Sequence, residues 1–158
     1  MNQIGALMGS WMQSGGTRKA RSLMRRMREV GWGGMTLLAR TFCLLLAAKI
    51  ALKVLPVRRV IAWKQRPVGQ PAQVDAGKLR RVRHAVLVVA RYSPLRFVCF
   101  PQCLAASALL RSEGVESRLH YGVARAGDKL VTHTWLEAGG EILIGGEAAG
   151  DFSTLAVY

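Results

Sequence analysis

Residues 101–144 read PQCLAASALLRSEGVESRLHYGVARAGDKLVTHTWLEAGGEILI, and this stretch decides the fold. Pro101 suits the first turn of a helix, where its missing N–H costs nothing. Leu104, Ala105, Ala108 and Leu109 continue at helical spacing, and Gly114 marks the stop. The period then changes to two. Arg118, His120 and Gly122 alternate with Leu119, Tyr121 and Val123, which predicts a strand. Ala126-Gly127-Asp128 predicts a turn, residues 129–137 a second strand, Gly139-Gly140 another turn, and residues 141–144 a third strand. Residues 152–157 read as a fourth. A helix followed by antiparallel hairpins is an α+β arrangement.

Upstream of this stretch the character changes. Asp75 reads as an N-cap, with Leu79, Val82, Val86 and Val89 forming the apolar stripe of a helix to about residue 91. Residues 66–72, RPVGQPA, form a linker by composition. Residues 35–63 are the most apolar part of the chain, with a long helix over 36–51 and a shorter one over 57–63. Arg40, Lys49 and Lys53 interrupt the apolar run. Its longest uncharged stretch, 41–48, falls far short of the ~20 residues a spanning helix needs. A buried helix with snorkelling basic side chains is expected, and peripheral contact with a membrane surface is the other reading. Residues 1–34 are expected to be a disordered basic extension, with Gly31, Gly33 and Gly34 breaking any helix. The division expected is thus 1–34, 35–72 as apolar and basic helical segment plus linker, and 73–158 as the domain that carries chemistry.

Charge follows the same division. Of the 23 Lys and Arg, 19 lie in residues 1–99 beside only two acids, whereas residues 100–158 hold four against seven acids. A net charge of +14 suits nucleic acid, acidic partners or an anionic surface. No basic motif interleaved with aromatic residues supports nucleic acid. No small-residue cleavage site follows an apolar core near the N-terminus, so a cytoplasmic protein is expected. Three cysteines, Cys43, Cys99 and Cys103, do not make a disulfide framework. Nor does any second Cys or His pair sit at a spacing that would hold zinc, and no metal or organic cofactor is expected.

The chemistry points to Cys103. A thiol attacks as thiolate, and the first turn of a helix offers free N–H groups and a dipole that favour the anion. The same groups suit an oxyanion. Cys99 precedes Pro101, outside the predicted helix, and reads as a small hydrophobe; Cys43, inside the apolar helix, reads as core. Of three histidines, His84 lies on a polar helix face and His120 on the first strand. His133 sits mid-strand, where folding back of the hairpin brings it to the helix N-terminus as the proton acceptor. Trp135, of the same strand parity, is placed to cover it. The competing reading is a buried cysteine and a structural histidine.

PQCLAA (101–106), LLRSEGV (109–115), LHYGV (119–123) and HTWLE (133–137) with Gly140 resemble the transglutaminase-like leader peptidases of lasso-peptide biosynthesis, the B proteins. LKVLPVRR (52–59) resembles their N-terminal helical part. The resemblance covers about residues 35–158. It implies a papain/transglutaminase-like core, with Cys on a helix N-terminus packed on an antiparallel sheet and a helical segment before it. It implies a cysteine peptidase that removes the leader from a ribosomally made precursor peptide. Its partners would be a leader-recognition protein and an ATP-dependent macrolactam cyclase. The family's Cys-His-Asp triad often places its acid about a dozen residues after the histidine. Here that region reads Ile144-Gly145-Gly146-Glu147, without Asp; Asp151 lies further on, and Glu137 is out of register with His133. Glu147, a backbone or amide group, or no third group at all would then complete the site. A noncatalytic scaffold, an amide-exchanging transglutaminase and a nucleic-acid binder are the alternatives.

Overall fold

The computed structural model describes residues 31–64, 74–126 and 128–158, of which residues 36–158 form one compact unit. The elements in chain order are α1 (Gly31–Val54), α2 (Val57–Lys64), α3 (Ala76–Tyr92), α4 (Cys99–Ser112), β1 (Arg118–Ala126), β2 (Lys129–Ala138), β3 (Glu141–Ile144), a 3-10 helix (Gly146–Asp151) and β4 (Ser153–Val157). Expectations for residues 1–30 and 66–72 lie outside the described residues.

Local signals explain most element boundaries. Asp75 caps α3 as expected, accepting a 2.9 Å hydrogen bond from the Gly77 N–H. Pro56 separates α1 from α2. Two boundaries differ from expectation. Helix α1 starts at Gly31, so the glycines at 31, 33 and 34 are absorbed into it. Helix α4 starts at Cys99, two residues before Pro101, which still falls within the first turn, where proline is tolerated.

The sheet is fully antiparallel with strand order β3-β2-β1-β4. Strand alternation gives it two different faces. Leu119 of β1 and Leu136 and Ala138 of β2 join the main core with Leu104, Leu109 and Leu110 of α4 and Val82 and Val86 of α3. Residues of the other parity, His120, Gly122, His133, Trp135 and Glu137, occupy the opposite face. Since β3 and β4 lie on opposite edges, the chain between them crosses the sheet, and the Phe152 ring at the end of this crossover packs tilted against His133, 5.1 Å between centroids.

From Thr36 onward α1, and all of α2, belong to the same compact unit as the sheet. Leu45 of α1 packs with Phe97 and Ala105, Thr41 is fully buried, and Val60 of α2 enters the main core. The outward side of α1 is apolar as well. The segment Gly33–Val54 has a mean hydropathy of 1.8 and is long and apolar enough to cross a membrane. Ile50 is 54% and Val54 72% exposed. Cys43 is exposed, contrary to the core position expected for it. A helix apolar all round buries one side against its domain and leaves the other exposed among the described residues.

Candidate active site

Cys103 is the fifth residue of α4 and is fully buried. Its Sγ donates a 3.5 Å hydrogen bond to the Thr134 carbonyl, the residue after His133. Burial, and secondarily the neighbouring Cys99, push the Cys103 thiol well above its ordinary range. The expected exposed, acidified thiol is thus not what the structure holds. The physical reason is the earlier helix start. It moves Cys103 into the second turn, where its N–H belongs to the intrahelical ladder, and the Gln102 N–H meets the Val98 carbonyl at 3.4 Å. The orphan amides at this terminus are those of Cys99 and Phe100. Cys99, expected outside the helix, is its first residue and is half-buried.

His133 is half-buried in β2, opposite Gly122 of β1. Its Nε2 lies 2.8 Å from the Gly145 carbonyl. A carbonyl can only accept, so Nε2 carries a proton, which leaves Nδ1 as the ring atom able to take up or give up another. The function that an acid serves in a triad, fixing the tautomer and ring orientation, is here performed by a backbone carbonyl. Glu147, the acid named from sequence, is exposed in the 3-10 helix two residues further on. Asp151 is likewise exposed.

Gly145 is where the two candidate residues converge. It follows β3 directly and adopts φ +78°, a left-handed conformation that L side chains resist. A Cβ there would stand 2.7 Å from the Thr134 carbonyl oxygen, 3.2 Å from His133 Nε2 and 3.2 Å from Trp135 Cβ. Cys103 approaches the Thr134 carbonyl from the α4 side, and His133 reaches Gly145 from the other face. In this state Cys103 is held by a carbonyl of strand β2 and His133 by the carbonyl of Gly145, and no direct hydrogen bond links them among the described residues.

Sequence reasoning missed the partners of His120. Its Nε2 lies 3.1 Å from Glu137 Oε2, and its ring stacks on Trp135 at 5.3 Å with an 8° interplanar angle. Trp135 also stacks on His133 at 6.1 Å. The indole is therefore flanked by two imidazoles, and Gly122 makes room for it: a Cβ there would come within 2.7 Å of the indole ring. The available signal was the shared parity of His133, Trp135 and Glu137. His84 is exposed on α3. No cluster of potential metal ligands is found among the described residues.

A helix bearing a cysteine at its start, packed on an antiparallel sheet bearing a histidine, is the arrangement on which comparison with known families bears. Residues 42–157 match the family model described as the transglutaminase-like superfamily. The chain belongs to the transglutaminase-like superfamily. No curated protein and no solved structure matches it. The superfamily includes cysteine proteases and transglutaminases, chemistries that both begin with a thiolate attacking a carbonyl. The match starts within α1 and takes in its residues 42–54.

Proposed function

We propose that this transglutaminase-like protein is a cysteine peptidase that removes the leader from a lasso-peptide precursor. The observation that carries the chemistry is that the Thr134 carbonyl, which takes the Cys103 thiol, stands beside Gly145, whose own carbonyl takes His133. The thiol proton passes to His133 Nδ1, and the thiolate attacks the scissile carbonyl carbon. Collapse of the tetrahedral intermediate breaks the C–N bond, with the imidazolium returning its proton to the departing amine. Water, deprotonated by His133, then releases the acyl group and restores the thiol. The Gly145 carbonyl holds the ring through both transfers. The leader specificity rests on the resemblance of the motifs around Cys103 and His133 to the leader peptidases.

The partners that follow are the precursor peptide, a leader-recognition protein and an ATP-dependent macrolactam cyclase, in the cytoplasm. Residues 31–64 contain six basic residues and no acid, beside the exposed apolar side of α1. Peripheral contact with an anionic membrane fits that combination.

The decisive experiment is mass spectrometry of precursor incubated with this protein and its leader-binding partner, using wild type, Cys103→Ala and Cys99→Ala. Cleavage lost only in Cys103→Ala supports the reading. Cleavage that survives Cys103→Ala refutes the assignment of the nucleophile. Product carrying an added amine in place of water identifies amide exchange instead. A second reading, a noncatalytic scaffold, is favoured by one observation: the thiol is fully buried and bonded to a carbonyl rather than to His133. Absence of cleavage by wild type with the partner bound would select it.

A further inference from the structure

The register of the sheet leaves one half of β2 without a neighbour, and that half ends at Cys103. Strand β1 pairs along β2 from Lys129 to Glu137, whereas β3 pairs only with Leu136, Glu137 and Ala138. On its β3 side, β2 from residue 129 to 134 has no strand partner among the described residues.

Alternation identifies which backbone groups face outward. Leu119 and Tyr158 exchange hydrogen bonds of 2.8 and 2.9 Å, so Leu119 turns its backbone groups away from β2. Its neighbours His120, Gly122 and Ala124 then face β2 and pair with Trp135, His133 and Val131. Leu130 and Thr132 accordingly present N–H and C=O to the open edge, and the Thr134 carbonyl, of the same parity, is buried beneath Cys103 and Gly145 at its end. The Cys103 thiol, reaching the Thr134 carbonyl from outside the sheet, independently fixes the same parity. An exposed edge is normally blunted by charge, proline or a bulge. Residues 130–134 read LVTHT, with neither charge nor proline, and Leu130 is 72% exposed.

We infer that residues 130–134 are a substrate-binding edge, which takes an extended peptide as an additional strand and delivers its scissile carbonyl to Cys103. This rests on the peptidase reading and names how the substrate is held. The open segment spans about 13 Å at ~3.3 Å per residue, enough for roughly four substrate residues. Main-chain hydrogen bonds to Leu130 and Thr132 supply affinity with little demand on sequence. A substrate N–H taking the Thr134 carbonyl displaces the thiol from it, freeing Sγ to turn to His133. The buried, protonated thiol is then the resting state, and the peptide itself releases it.

The test compares alkylation of Cys103 in the full chain by acetyl-tetraalanyl vinyl sulfone and by methyl vinyl sulfone, read by peptide mass mapping. The peptide probe is expected to label about tenfold faster or more. Backbone N-methylation of alternate probe residues removes that advantage. Thr132→Pro removes it too, because the Thr132 N–H lies outside the β1 ladder. N-methylated probes labelling as fast as the parent would overturn the edge while leaving the peptidase reading standing. Failure of both probes to label Cys103 while Cys43 reacts would overturn both.

Discussion

Replacing Gly145 by alanine tests the geometry that joins Cys103 to His133. Two costs are expected. The left-handed φ of +78° disfavours any L side chain by about 1–2 kcal/mol, partly offset because alanine stiffens the unfolded chain. The second cost is local: the new Cβ would meet the Thr134 carbonyl oxygen at 2.7 Å, a backbone atom that cannot rotate aside. Relieving that contact moves Thr134 or Gly145 and adds roughly 2 kcal/mol, in the range of other overpacked sites. Gly140 supplies the control, since its φ is +81° and nothing lies within 4 Å of its added Cβ. At about 4 °C per kcal/mol for a unit of this size, Gly140→Ala should lower Tm by about 4 °C and Gly145→Ala by about 12 °C. Thermal unfolding followed by circular dichroism measures both. Gly145→Ala should also slow cleavage well beyond the effect of Gly140→Ala, because the carbonyl that orients His133 moves. Equal Tm shifts for the two variants, or unimpaired cleavage by Gly145→Ala, would refute the argument.

Iodoacetamide near neutral pH should label exposed Cys43 fastest, Cys99 next and buried Cys103 last, as mass mapping over time will show. The raised Cys103 pKa also fixes a sign. Below the unfolded thiol's ~8.5 it has no effect; above that, the unfolded chain sheds a proton the folded thiol keeps. Stability therefore falls as pH rises from there toward the folded pKa, and urea titrations should show that part of the slope disappear in Cys103→Ala. Glu147→Gln should leave the cleavage rate within about threefold of wild type, since the Gly145 carbonyl and not this exposed carboxylate meets His133. Gly122→Ala should cost about 1–3 kcal/mol in denaturant unfolding, because its Cβ would enter the Trp135 ring and press on Phe152.

Much of this architecture was legible because it is local. The change of period after Gly114 announced the hairpins, and Asp75 announced α3. What was not legible depends on distant chain. Strand alternation put His133 and Trp135 on one face, but which face met α4 was decided by Leu119, Leu136 and Ala138 packing on Leu109 and Leu110. The burial of Cys103 followed from a helix starting at Cys99 rather than Pro101, a shift of two residues that no capping residue signalled: Val98 makes no side-chain cap. The search for a missing acid looked among side chains, whereas the partner of His133 is a backbone carbonyl, which every residue possesses and no sequence pattern advertises. Cys43 read as core because its helix is apolar all round, so pattern alone could not choose the packed side.

The crossover between β3 and β4 has a kinetic consequence. The β1–β2 hairpin closes over a short turn and can form early. Phe152 and the Gly145 turn can dock on His133 only after that hairpin exists and β4 has found the far side of β1. Contacts made after the rate-limiting step leave the folding rate untouched and appear in the unfolding rate. Weakening the turn that orients the histidine is thus expected to speed unfolding and leave the folding rate nearly unchanged.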